Sequence, residues 1–280
     1  MSKIYLDNAA TTKMDESLLK IYQSFSCENF YNPSAGYDDA IKNANFLQEA
    51  RKIILKKLNA KTGDIIFTSG ATESNNLAIR GSLREGKWEY VFSLIEHPSV
   101  FNVAKEIEQS GKLVKYIPIQ KNGEIDYEVL KNLVNEKTRL VSVMFVNNET
   151  GVVNDLNKIY QIVKSKNPNT LIHVDGVQGF CKVMIDLSKL DIDFFTISAH
   201  KFHGPKGVGA LYVKNKNTLK SLVYGGGQEF GLRSGTENLP AIMAMAKRVE
   251  EIDVLENLNK VKELKSAFLS KIDLKKVKFI

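Results

Sequence analysis

The chain has 280 residues, 43% hydrophobic and 25% charged, which suits a large soluble globular enzyme and excludes disordered, fibrous and collagenous classes. A net charge of +7 raises nucleic-acid binding, but much of the excess lies in the C-terminal run "NKVKELKSAFLSKIDLKKVKFI", where lysines alternate with apolar residues at helical spacing. Without zinc-finger spacing, RNP-type aromatics or an arginine-rich tract beside it, that run reads as a solvated helix face, and no direct nucleic-acid binding is expected.

In chain order, "MSKIYLDNAATTKMDES" has no apolar signal core, and no later run reaches the length of a membrane span, so a cytoplasmic protein is expected. From Asp64 onward, apolar strand-like runs alternate with helical patterns: "DIIFTSG" and "ATESNNLAIRGSLREG", "EYVFSLI" and "PSVFNVAKEIEQSG", "KLVKYIPI" and "VLKNLVNEK", "TRLVSVMFV" and "LNKIYQIVKSKN". The strands "TLIHVD", "DFFTIS" and "GALYV" follow, and a long helical pattern starts near Ala241. Continuously apolar strands alternating with helices imply an α/β fold, its mostly parallel sheet buried on both faces. The final "KKVKFI" reads as a strand just opening, so a further piece is expected beyond it.

Ligands in such sheets sit beyond the carboxyl ends of the strands, where several chemistry-bearing clusters fall. In "FTSGATESNN" a helix begins near Ala71, and Thr72 offers a hydroxyl beside unpaired amides, either an anion site or simple capping by Ser69 or Thr72. Asp175 closes "TLIHV" and is either a poorly solvated site carboxylate or a helix cap, with Gln178 one turn on. His97, in "EHPSV", suits stacking on a flat ligand or a structural role, and Asn148, in "VNNETG", suits a site or a turn. In "TISAHKFHGPKGVGALYV", Lys201 ends a buried-looking strand, where desolvation lowers an amine's pKa and makes it a nucleophile. Ser198, His200 and His203 are phosphate-friendly donors, Gly204 and Gly207 let the backbone bend round a ligand, and Lys206 reads as a solvated turn lysine. Cys27 and Cys181 form no disulfide framework or zinc pattern, Cys181 reads as a small buried apolar group, and no metal site is expected. A nucleophilic lysine, a buried aspartate, a stacking histidine and phosphate donors together match what pyridoxal phosphate requires, with Lys201 holding its aldehyde.

The stretches "YLDNAATT", "FTSGATESNNLAIRG", "EHPSV", "VNNETGVVND", "HVDGVQG", "SAHKFHGPKGVGALYV" and "GGGQEFGLRSGTEN" resemble, in order, the cysteine desulfurases of the class V aminotransferase family. The resemblance implies a fold-type I transferase built on pyridoxal 5'-phosphate, with the large domain at 1–245 and the start of an incomplete small C-terminal domain at 246–280. It implies Lys201 as the cofactor lysine and His97 as the ring-stacking residue. Asp175 then pairs with the pyridinium nitrogen and Gln178 with the phenolic oxygen. Ala71, Thr72, Ser198 and His200 hold the phosphate, and Asn148 lies near the ring and the substrate carboxylate. Thr236 reaches the phosphate of a neighbouring subunit, which makes a homodimer part of the site.

The implied reaction converts L-cysteine to L-alanine and passes the sulfur on as a persulfide, for iron–sulfur cluster assembly or tRNA thiolation, to a scaffold or sulfur-acceptor protein. The family's persulfide cysteine loop and its carboxylate-gripping arginine lie downstream of "RSGT" and are not found before Ile280, so on the order of a hundred residues of the small domain are expected to be missing. Two alternatives follow: a non-catalytic truncated remnant or dimerising scaffold, and a cysteine or selenocysteine lyase using an external thiol. The relatives' "NPS" segment also carries a histidine where this chain has Tyr37, and nothing in the sequence explains that change.

Overall fold

A computed structural model describes residues 4–272. An irregular N-terminal segment leads into α1 (Leu18–Cys27) and α2 (Asp38–Lys57), followed by β1 (Asp64–Thr68), α3 (Ala71–Gly81), β2 (Glu89–Ser93), α4 (Pro98–Gln109) and β3 (Leu113–Ile117). Next come α5 (Tyr127–Leu133), β4 (Thr138–Met144), α6 (Leu156–Lys166), β5 (Leu171–Asp175), β6 (Phe194–Ser198) and β7 (Gly209–Val213). Helices α7 (Leu239–Glu251) and α8 (Val254–Leu269) close the described chain. The strands form one sheet in the order β1-β7-β6-β5-β4-β2-β3. It is parallel from β6 across to β3, whereas β7 runs antiparallel to both its neighbours. This is the mostly parallel α/β sheet between helices that the sequence implies.

The strand period of two divides the side chains between two cores. Ile65, Val91, Val141, Ile172, Phe195 and Tyr212 join the residues of α2, α5, α6 and α7 on one face. Ile66, Tyr90, Leu140, Leu171, Phe194 and Leu211 pack with α3 and α4 on the other. Both faces are covered, so β2, β5, β6 and β7 are buried at every position and lack the apolar–polar alternation of a half-exposed strand. On the α3/α4 side a polar row crosses the core, in which His173 bonds Ser142 Oγ at 2.8 Å and Thr196 Oγ1 at 3.1 Å. Burial pulls the His173 imidazole down to about 3, so it is neutral at pH 7.

Asp175 lies two residues beyond His173 on the same strand, and its side chain therefore emerges on the α3/α4 side. One close backbone approach shapes the region above it. A Cβ at Gly209 would stand 2.7 Å from Gly70 Cα, so only glycine lets β7 pass beneath the start of α3.

The long helical pattern after Ala241 is two helices. The chain breaks at Ile252 and Asp253, where the Asp253 carboxylate accepts the Glu256 N–H at 3.0 Å and starts α8 afresh. Helix α7 runs unbroken across residues 245 and 246 and keeps Met245, Ala246 and Val249 in the core. Helix α8 buries none of its residues, and Leu255, Val261, Leu264 and Phe268 on it are exposed. The run read as an opening strand, 275–280, lies outside the described residues.

Candidate active site

A cavity of about 570 Å³ opens at the carboxyl ends of β1, β4, β5 and β6. Ala71, Thr72, His97, Asn148, Asp175, Gln178, Ser198, His200 and Lys201 all line it, although they come from five separate stretches of sequence.

Asp175 is 4% exposed; its Oδ1 accepts the Val177 N–H at 3.1 Å and its Oδ2 accepts Asn75 Nδ2 at 3.0 Å. Burial pushes this carboxyl above its usual range, against those two hydrogen bonds and the charges of His97 and Lys201. His97 caps α4: its Nδ1 accepts the Ser99 N–H at 3.1 Å and lies 2.8 Å from Ser99 Oγ, so in the neutral ring the proton sits on Nε2. Ser99 also accepts Asn75 Nδ2 at 2.9 Å, which ties the histidine and the aspartate into one network.

Lys201 stands in a single 3-10 turn after β6. Its Nζ donates to the carbonyls of Ala9 at 2.6 Å and Ala10 at 2.8 Å. Burial pulls the amine below its ordinary value, and Asp175 and Asp7 partly oppose that pull. His200 is drawn down to about 4 by burial and by the charges of Lys201, Lys206 and Lys182, so it is a neutral donor at pH 7; its Nδ1 lies 3.0 Å from Thr11 Oγ1.

Gly70 precedes the first turn of α3, and no side chain caps that helix. The amides of Ala71 and Thr72 have no backbone partner and open on the cavity beside the hydroxyls of Thr72 and Ser198, the donor set that binds an anion at a helix N-terminus. Neither Ser69 nor Thr72 caps the helix; Ser69 instead donates its N–H to Glu73 Oε2 at 2.7 Å. Glu73 brings a carboxylate to the rim, but Arg233 holds it at 2.7 Å and offsets its charge.

Some expected site residues lie elsewhere. His203 does not line the cavity; it is exposed, with φ +66°, and turns its Nδ1 to the Lys13 carbonyl at 3.0 Å. Thr236 is exposed and does not line this cavity, which suits a residue expected to serve a neighbouring subunit's phosphate. Asn148 lies beyond β4, which ends at Met144; the turn between them is built by buried Asn147, whose Oδ1 accepts the N–H groups of Glu149 and Thr150. Lys206 is exposed, as a turn lysine should be, yet it reaches the cavity rim.

Sequence reasoning missed Asn75, Ser99 and Glu96, which look like ordinary helix and turn residues, and the segment Ala9–Thr12 that walls the lysine. Glu96 is buried; Ser93 Oγ and the Met144 N–H, the latter at 2.7 Å, donate to its Oε1, while Oε2 has no partner. Burial first, and then neighbouring Asp175, push its carboxyl up to about 8.

The lining chemistry fits pyridoxal phosphate: uncapped helix amides and hydroxyls for a phosphate, a buried carboxylate for a ring nitrogen, and a partly desolvated amine for an aldehyde. The profile of the Aminotransferase class-V family matches residues 4–278. The chain belongs to that family. This class V aminotransferase-family chain is 41% identical to "Cysteine desulfurase IscS" of Rickettsia africae over 96% of its own length and 67% of the relative's. It is also 41% identical to "Cysteine desulfurase IscS 1" of Archaeoglobus fulgidus, over 88% of this chain and 64% of that one. The chain thus spans about two thirds of these relatives' length. A solved "NIFS-like protein" superposes with a TM-score of 0.91 at 38% identity, over 96% of this chain and 75% of that one. "SspA in complex with cysteine" gives a TM-score of 0.86 at 34% identity, over 95% and 78%. Family members depend on pyridoxal phosphate, the cofactor that the donor set suggests. Among the described residues no cluster of side chains suits a metal ion, and no helix is long and apolar enough to cross a membrane.

Proposed function

We propose that this chain is the cofactor-binding part of a cysteine desulfurase that takes sulfur from L-cysteine and leaves L-alanine. What supports this most is the meeting of Lys201, Asp175 and the open N-terminus of α3 in one cavity. When bound, pyridoxal phosphate supplies an electron sink for carbanion chemistry at the substrate Cα. Lys201 would hold the cofactor at its aldehyde, and its lowered pKa keeps more of the amine unprotonated, ready to carry a proton to or from the substrate Cα. Asp175 holds the proton on the ring nitrogen. His97, with its Nδ1 fixed by Ser99, would stack on the ring. Ala71, Thr72, Ser198 and neutral His200 bind the phosphate, Gln178 donates to the phenolic oxygen, and Asn148 faces the substrate carboxylate. Thr236 serves a second copy of the chain in a homodimer. The large unit, expected at 1–245, is extended to the end of α7 because that helix crosses residues 245 and 246, and α8 begins the smaller one. On this reading the protein is cytoplasmic and supplies a scaffold or acceptor for iron–sulfur assembly or tRNA thiolation, and its relatives are named cysteine desulfurase IscS.

Neither cysteine lines the cavity: Cys27 is exposed elsewhere, and Cys181 is buried with its thiol pushed up to about 12 by that burial. A second reading, a cysteine or selenocysteine lyase that discharges to an external thiol, uses the same cavity. The test is the visible spectrum of protein loaded with pyridoxal phosphate, dialysed and given L-cysteine, with alanine release measured with and without added thiol. A retained band that shifts with cysteine, and that is lost in Lys201→Ala, is expected. Retention of the band in Lys201→Ala overturns the assignment, and alanine release that depends on added thiol selects the lyase.

A further inference from the structure

Lys182 lies just beyond Gln178, in the tight turns after β5 where the Phe180 N–H donates to Gly176 O at 2.8 Å and the Lys182 N–H to Gly179 O at 3.0 Å. Its side chain is half-buried, and among the described residues no carboxylate forms an ion pair with it. Its ammonium donates instead to Gln178 Oε1 at 3.0 Å. On the other side of the same amide, Gln178 Nε2 donates to Ala9 O at 2.9 Å, and Ala9 O also accepts Lys201 Nζ at 2.6 Å. A short hydrogen-bonded chain therefore links Lys182 to the cavity's reactive amine.

The sense of that chain is fixed by chemistry. An ammonium only donates and a backbone carbonyl only accepts, whereas the two ends of a glutamine amide have nearly the same shape. Lys182 must take the amide oxygen and Ala9 must take the nitrogen. The second hydrogen on Nε2 has no acceptor in the described contacts and is free for a ligand, since Gln178 lines the cavity. Without a donor at position 182, only the Ala9 carbonyl is left to hold the amide's sense, and a flipped amide would set an oxygen against a ligand's oxyanion.

We propose that Lys182 is a positioning residue whose ammonium orients the Gln178 amide so that N–H, and not oxygen, meets an oxyanion in the cavity. This rests on the reading above for the identity of that oxyanion, the phenolic oxygen of pyridoxal phosphate. The anchor is itself sensitive to pH: burial, and then the charge of Lys201, pull Lys182 down to about 8, against a small opposing effect of the Cys181 thiol. The other charged or titratable groups around this chain are Asp175 and Asp7 facing Lys201, His200 and Lys206 beside it, and Lys57 and Arg248 facing Cys181.

The test compares wild type with Lys182→Met and Lys182→Arg by two readouts that use no cysteine, so a failed desulfurase reading leaves it decidable. The first is the Gln178 side-chain amide signal in ¹⁵N–¹H spectra of the cofactor-free protein, assigned by its loss in Gln178→Glu. In wild type it should titrate with a midpoint near 8. In Lys182→Met it should shift and stop titrating, and in Lys182→Arg it should stay near the wild-type position without titrating. The second is the dissociation constant of pyridoxal phosphate by equilibrium dialysis, expected to weaken about tenfold in Lys182→Met and less than about threefold in Lys182→Arg. An unchanged Gln178 signal and affinity in Lys182→Met overturn the proposal, as do equal losses in both variants, which mark a purely structural lysine. Should Lys182→Met fail to fold, wild type decides alone: a Gln178 signal that stays flat while the Lys182 ¹³Cε signal itself titrates overturns the proposal.

Discussion

Lys201 Nζ donates to the carbonyl oxygen of Ala9 at 2.6 Å, across 192 positions of sequence. The N-terminal segment is therefore a wall of the cavity, stitched to the lysine loop at several points. The Thr12 N–H donates to His200 O at 2.9 Å, Thr12 Oγ1 donates to the same carbonyl at 2.9 Å, and the His203 N–H donates back to Thr12 Oγ1 at 2.7 Å.

Thr12 is buried, and Thr12→Val keeps its shape while deleting the hydroxyl that bridges segment and loop. The expected cost is about 1–3 kcal/mol of unfolding free energy, read as a lower urea midpoint at constant slope. Pyridoxal phosphate should bind more weakly as well, because the loop that presents Lys201 loses its brace. A variant that matches wild type in both measurements would show the segment to be a bystander.

How much of this was legible in the sequence follows from which interactions are local. The strands announced themselves because both sheet faces are covered, so Phe194–Ser198 and Gly209–Val213 are buried throughout and mostly apolar. Lys201, Asp175 and Thr72 stood out because polar groups at the ends of such strands are chemically conspicuous. Asn75 did not, because an asparagine inside a helix looks like any solvated residue; only the meeting of α3 with β5 makes it a partner of Asp175. Ala9 and Ala10 act through backbone carbonyls, which carry no side-chain signature at all. His203 misled for the opposite reason: it has the right chemistry, but its positive φ turns it out of the cavity.

A second prediction concerns the loop that carries Arg233 and Thr236. Glu229 anchors it to β1: its carboxylate accepts both terminal nitrogens of Arg51 at 2.8 Å and the Phe67 N–H at 2.8 Å, and both charged side chains are almost fully buried. Glu229→Gln keeps the shape but leaves the Arg51 charge uncompensated, although its guanidinium still lies 4.9 Å from the rings of Phe67 and Phe230. A loss of about 3–5 kcal/mol is expected by chemical denaturation. Breaking the exposed Arg80–Glu106 pair should cost no more than about 1 kcal/mol. Equal effects at the two sites would mean that the buried pair is well solvated in solution.

Asp175→Asn separates chemistry from folding. The buried charge disappears, which relieves its desolvation, but one of the two donors, the Val177 N–H or Asn75 Nδ2, loses its acceptor. These effects oppose each other, so stability should change by no more than about 1–2 kcal/mol. Alanine formation should nevertheless fall by at least about a hundredfold, since a neutral amide cannot hold a proton on the ring nitrogen. Near-normal turnover in a well-folded variant would remove Asp175 from the mechanism.

Glu96 gives a pH prediction with a definite sign. Its carboxyl titrates at about 8 in the folded protein, against an ordinary value of 4.5, because burial and Asp175 disfavour its charge. Below about pH 4.5 both states are protonated and Glu96 contributes nothing to the pH dependence. Between these values the folded state keeps a proton that the unfolded state has lost, so stability falls as pH rises, by up to about 1.4 kcal/mol per unit from this group. Above about 8 the penalty stops growing. Glu96→Gln removes the titration and keeps an acceptor for Ser93 and the Met144 N–H. Unfolding free energies measured from pH 5 to pH 9 should thus decline less steeply in Glu96→Gln than in wild type, with the gap widening toward pH 8. Parallel curves would mean that Glu96 is ionised in the folded protein, with its unpartnered Oε2 hydrated, and would leave Asp175 facing a second full negative charge.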